Sequence, residues 1–231
     1  MSPAPDGIPY PDWLDALAWF SLGSSFLLAL VILVHEWIKP QKMFIMNLVW
    51  PITALYGNLA AFWAYFSFGQ KRTGGGDSET EHPSRRQVAI STMHCGAGCT
   101  LGDIVAESIG GAAGLAFAGG IFPTRLLLDF LLAWLFGVIF QYFSIVPMRH
   151  LSPGQGLLAA IRADTFSIVA FEIGLFAWMA LTHYVIFPAP RLQPDQAPFW
   201  FMMQIGMAIG FFTSYPANVL LLRWGWKEKM G

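Results

Sequence analysis

Ser91-Thr92-Met93-His94-Cys95-Gly96-Ala97-Gly98-Cys99-Thr100-Leu101-Gly102-Asp103 gathers the only two cysteines of the chain, a histidine beside one of them and a methionine before it. Glu107 follows one helical turn after Asp103. Two thiols with a neighbouring imidazole and thioether make a donor set suited to copper, and less suited to zinc or an iron–sulfur cluster. At 3.6 residues per turn, Thr92, Cys95, Cys99, Asp103 and Glu107 drift slowly around one face of a helix. His94 lies about 100° away from Cys95 on that helix. Unwinding at Gly96-Ala97-Gly98 would let His94, Cys95 and Cys99 converge, with the helix restarting at Thr100, as broken helices do around buried membrane sites. The expected ligands are therefore His94, Cys95 and Cys99. Met93, Asp103, Glu107 and the distant Glu172 would orient them or carry protons.

Two other readings of the cysteines stay open. A disulfide fits a regular helix poorly, because β-carbons at i and i+4 sit about 5–6 Å apart and a disulfide wants about 3.5–4.5 Å. The third reading treats the cysteines as small residues that, with glycine and alanine, let helices approach closely. The acids beside them favour chemistry, since intramembrane carboxylates are costly and mark functional sites.

The elements that must hold this stretch are transmembrane helices. The chain is 55% apolar and only 12% charged, against about a quarter charged in soluble domains. Membrane-length apolar runs recur, so the expected fold is all-α, a polytopic bundle of about six spans. The spans are read at 13–34, 44–68, 88–121, 126–146, 166–187 and 199–222. Residues 151–163, opening with Ser-Pro-Gly, predict a short interfacial helix before the fifth. The resulting units are an N-terminal tail (1–12), the first two spans (13–68), a flexible polar loop with three consecutive glycines (69–87) and a four-helix membrane domain (88–231). The third span is poor in leucine and rich in glycine and alanine, which places it inside the bundle.

A net charge of −1 excludes nucleic acid as a partner. No basic region opens the chain, so no signal peptide is read. In the six-span arrangement 9 of 13 lysines and arginines share one side with the N- and C-termini, which predicts a cytoplasmic location for both.

Other polar residues expected at the depth of the cysteines are Asn58, Gln141, Glu172, Tyr215 and Asn218. Asp129 is expected to snorkel and pair with Arg125 one turn earlier. His35 and His183 close the first and fifth spans at matching depth and are the pair that would ligate a haem. Met202, Met203 and Met207 resemble a methionine ladder but fit core packing better.

Three stretches, His94 to Asp103, Leu151 to Gly174 and Tyr215-Pro216-Ala217-Asn218, resemble a bacterial membrane-protein family catalogued as domain of unknown function 4396. The resemblance covers about the C-terminal two-thirds, from Val88 to Met230. It implies a helical membrane fold, and fusions of some members to heavy-metal-associated segments imply metal handling.

The function expected is soft-metal binding, copper favoured, at His94, Cys95 and Cys99 within a bacterial inner membrane. The alternatives are a membrane thiol oxidoreductase working with a quinone, or an accessory, haem-holding subunit of a larger complex. The expected partners are the lipid bilayer and either other membrane subunits or further copies of the chain.

Overall fold

The computed structural model describes residues 10–69, 83–117 and 120–228, without the side chains of 111–113. Six helices and no strand occur among the described residues: α1 (Asp12–Ile38), α2 (Met46–Ala64), α3 (Arg85–Ala113), α4 (Ile121–Arg149), α5 (Pro153–Leu181) and α6 (Ala197–Arg223). One π-helical turn extends α2 through Tyr65–Gly69 and another extends α5 through Thr182–Ile186. Most of the expected polar loop, including His82, and most of the N-terminal tail lie outside the described residues.

Five helices, all but α2, are long and apolar enough to cross a bilayer. Phe20, Phe26, Leu30 and Leu33 of α1 are exposed, as residues facing lipid tails would be.

The expected second span is not a crossing. Within α2, Asn58 leaves helical geometry (φ 46°, ψ −128°) and the chain reverses. A straight helix would hold Trp50 and Tyr65 about 22 Å apart, yet their ring centroids lie 5.4 Å apart, and Phe68 sits 6.1 Å from Trp50. The tip is tied down partway along α1, where Asn58 Nδ2 donates to Ser21 O (3.1 Å) and Ser24 Oγ (2.9 Å). Gln204 of α6 satisfies the freed carbonyl of Leu55, donating through Nε2 at 2.6 Å, and accepts from Ser21 Oγ at 2.8 Å. Backbone groups freed inside a membrane need such partners. The returning leg ends beside the end of α1, with His35 Nδ1 2.9 Å from Tyr65 Oη. Residues 46–69 are thus a re-entrant helical hairpin.

Reversal at Asn58 also sets which end of the bundle the first and last described residues occupy. Tyr10 and Leu14 share a cluster with Leu192 and Phe199 at one end of the bundle. Lys227 meets Asp164, near the start of α5, at the other. The expectation of both termini on one side required a sixth crossing. Eight of the ten basic residues described lie toward the end where α3 and α5 start; Arg125 and Arg191 lie toward the opposite one. We call these the basic end and the far end.

Local signals set the helix limits. Ser84 and Gln87 form a capping box that starts α3, with Gln87 N donating to Ser84 Oγ and Ser84 N to Gln87 Oε1. Gly114 ends α3 in the left-handed region at φ 58°. Residues 151–163, read as an interfacial helix, are helical from Pro153 and run unbroken into the fifth span as α5.

α3 is the central helix, buried without interruption from Ile90 to Thr100. Its glycines allow that position. A Cβ on Gly98 would lie 2.7 Å from Gly137 Cα, and one on Gly102 only 2.3 Å from Ala133 N. Small residues on both helices let the α3 and α4 backbones touch.

Candidate functional site

α3 stays helical through Gly96-Ala97-Gly98. The expected unwinding is absent, because these glycines are used for close packing: against α4 at Gly98, and against the hairpin at Gly96, where a Cβ would meet Tyr56 Oη at 2.6 Å. The consequence falls on His94, which keeps its separate face. Its Nε2 lies 2.8 Å from Ser144 Oγ of α4, its ring meets Phe140 edge-on, and its Nδ1 has no partner among the described residues. Among the described residues no three His, Cys, Asp or Glu side chains are arranged to hold an ion. His94 is thus not brought together with the thiols.

Cys95 and Cys99 are brought together. Both thiols are free and fully buried, one turn apart on the intact α3 and so on neighbouring positions of one face. They share a cluster with Tyr56 from the hairpin, Ala133 from α4, and Ile168 and Phe171 from α5. Glu172 of α5 lies beside Cys99, yet neither of its carboxyl oxygens has a hydrogen-bond partner among the described residues. Tyr56 Oη, near the hairpin tip, is likewise buried with no hydrogen-bond partner among the described residues. Thr92 and Thr100 take no part, since their hydroxyls bond back to Val88 O (2.8 Å) and Gly96 O (2.7 Å). Met93 packs with Trp50 and Ile90 in a different cluster, away from its expected place at the site.

Toward the far end the polar face of α3 continues. Asp103 is fully buried with both carboxyl oxygens unpartnered among the described residues, and its acidic neighbours are Glu172, Asp129 and Glu107. Arg125 reaches Glu107, Nε to Oε2 3.7 Å, rather than serving Asp129 alone. Asp129 does not snorkel: it is buried, with Oδ1 unpartnered among the described residues. A cavity at this end is lined by Glu107, Arg125, Asp129, Thr182, His183 and Met203, among others.

Toward the basic end come Gln141, buried with its amide unpartnered among the described residues, and then a second polar group. Asn218 Nδ2 donates to Ser167 Oγ (2.8 Å), Ser91 Oγ donates to Asn218 Oδ1 (3.3 Å), and Lys227 Nζ donates to Asp164 Oδ1 (2.6 Å) and Asn218 Oδ1 (2.9 Å). The expected single polar layer is therefore a column, running from Lys227 past the thiols to the cavity at the far end. Asn58 stands outside it, serving the hairpin turn, and Tyr215 Oη reaches Arg85 O at 3.4 Å.

His35 and His183 do not face one another. His35 is held by Tyr65 and Phe66, whereas His183 stacks on Phe122 with centroids 4.0 Å apart. Met202, Met203 and Met207 join the cluster around the thiols, with Met207 Sδ 3.6 Å from Thr100 Oγ1.

Sequence reasoning missed Tyr56, Asp164 and Lys227 as members of the column. A sequence signal existed for Tyr56: an apolar segment interrupted by Pro51 and by Gly57-Asn58 is the mark of a discontinuous membrane helix. Nothing in the sequence links Asp164 to Lys227.

An all-helical bundle with five membrane-length helices, one re-entrant hairpin and a buried polar column defines a polytopic membrane protein. Residues 84–227 match the family described as Domain of unknown function (DUF4396), and the chain belongs to that family. No curated protein and no solved structure matches the chain.

Proposed function

We propose that this protein handles a soft metal ion, copper favoured, which Cys95 and Cys99 take as a thiolate pair at the centre of the bundle. One observation carries this reading: two free, fully buried thiols lie one helical turn apart on α3, near a buried Glu172 whose carboxyl oxygens have no hydrogen-bond partner among the described residues. Soft thiolates select Cu(I), and Cys95 and Cys99 would supply two such ligands. Binding would deprotonate both thiols, and of the two protons released one would pass to the carboxylate of Glu172 and the other to that of Asp103, the two acids nearest Cys99. Asp103 and Asp129 continue the way to the far-end cavity. His94 supports the site from the neighbouring face by fixing α3 against Ser144, and takes no ligand role in this reading. Unpartnered intramembrane carboxylates are retained where ions or protons pass.

Positive-inside logic makes the basic end cytoplasmic, with the chain in a bacterial inner membrane. The N-terminal side of α1 then lies outside and the segment after α6 inside. Single cysteines introduced at Asp12, Ser84, Ser152 and Gln193, in a Cys95→Ser/Cys99→Ser background, check this arrangement with an impermeant thiol reagent. Ser84 and Ser152 are expected to react from the cytoplasmic face, and Asp12 and Gln193 from the other. Reaction at Asp12 from the cytoplasmic face would restore the six-crossing arrangement.

The metal reading is tested by elemental analysis of protein purified anaerobically from copper-supplemented cells. Wild type is expected to hold copper and Cys95→Ser/Cys99→Ser to lose it. Equal copper in the two proteins would remove the reading.

A further inference from the structure

Lys227 is out of place for its type. It follows α6 by one turn, where a lysine would ordinarily reach for water, and instead it is buried with its ammonium inside the bundle. The turn carrying it is fastened from outside: Arg149 pairs with Glu228 and donates through Nη2 to Gly225 O at 2.9 Å. The chamber it fills comes from two other helices, α3 and α5, and its own. Asp164 and Asn218 contact Nζ directly, while Ser91 and Ser167 bond to Asn218. Asp164 Oδ2 is buried and has no partner among the described residues, so the chamber holds more acceptor capacity than Lys227 uses. Ser91 lies one helical turn before Cys95 on the same buried helix, and His94 lies within electrostatic reach of the ammonium.

We propose that Asp164, Asn218, Ser91 and Ser167 form a site for a small monovalent cation at the basic end of the polar column, with Lys227 as its tethered occupant. The turn after α6 is then a plug: with the ammonium seated the thiols are closed off from that end, and with it withdrawn the column opens there. This holds whether or not the thiols bind metal, because the two cysteines serve only as reporters.

The only native thiols sit beyond the plug, fully buried. The experiment is modification of Cys95 and Cys99 by an impermeant quaternary-ammonium methanethiosulfonate, added to either face of membrane vesicles holding the full chain and read by mass spectrometry. Lys227→Ala is expected to react about tenfold faster or more than wild type from the basic face alone, with Lys227→Arg staying near wild type. Millimolar n-propylammonium, the severed part of the side chain, is expected to restore protection to Lys227→Ala, and n-propanol to leave it reactive. Asp164→Asn/Lys227→Met removes both charges together and guards against misfolding: it is expected to melt as wild type does and still react from the basic face. Wild-type rates in Lys227→Ala, acceleration from both faces equally, or equal protection by propanol and propylammonium would each overturn the proposal.

Discussion

Placing leucine at Gly102 is expected to lower the stability of the bundle by about 3 kcal/mol or more, the upper range for overpacking a close-packed interior. A Cβ there would lie 2.3 Å from Ala133 N and 2.4 Å from Ala133 Cα. Both are backbone atoms of α4, so no side chain can turn aside to make room. The helices must separate along the line that also brings Gly98 to Gly137, and that separation exposes the packing around both thiols. Gly23→Leu is the control, because nothing lies within 4 Å of a Cβ at that position. Thermal unfolding in detergent is expected to show a large fall for Gly102→Leu and little change for Gly23→Leu. Equal melting of the two would mean that α3 and α4 do not meet through their glycines.

Breaking the Lys227–Asp164 pair is expected to cost about 3–5 kcal/mol when one partner alone is removed, since a buried charge is then left without its counter-charge. Both side chains are fully inaccessible and their atoms are 2.6 Å apart. Lys227→Met strands Asp164, and Asp164→Asn strands the ammonium. The double variant strands neither and is expected to return close to wild-type stability, as apolar or neutral replacements of buried ion pairs often do. Chemical denaturation of the four proteins gives the coupling directly. Strictly additive losses would show that the pair makes no buried contact. Arg149 with Glu228 is part-exposed, and removing it is expected to shift stability by less than about 1 kcal/mol.

Much of this was legible in the sequence, for identifiable reasons. Apolar run length gave the membrane helices, and the glycine- and alanine-rich third run gave the interior position of α3, because small side chains only make sense where another helix presses close. The spacing of Cys95, Cys99, Asp103 and Glu107 gave the polar face of that helix, and Glu172 was readable as an isolated acid in an apolar run. What failed shares one cause: a one-dimensional pattern does not tell which partner a residue has. Gly96 and Gly98 suit an unwound backbone by type, whereas their neighbours Tyr56 and Gly137 use the missing side chains as room. His94 was assigned to the thiols beside it in sequence, whereas the intact helix turns it to Ser144. Residues 44–68 have the composition of a span, and hydropathy is blind to a reversal at Asn58 that depends on hydrogen bonds to Ser21 and Ser24. Asp129 sits near a helix end, which suggested snorkelling, but α3 covers it there and Arg125 is drawn to Glu107. The Lys227–Asp164 contact joins residues 63 apart, beyond any local pattern.

The most direct measurement is X-ray absorption at the copper edge of the anaerobically loaded protein, which reads the ion's own neighbours. Two sulfur atoms in the first shell, both lost in Cys95→Ser/Cys99→Ser, are the result expected if the thiol pair takes the ion. A shell of nitrogen and oxygen alone, unchanged in that variant, would contradict it.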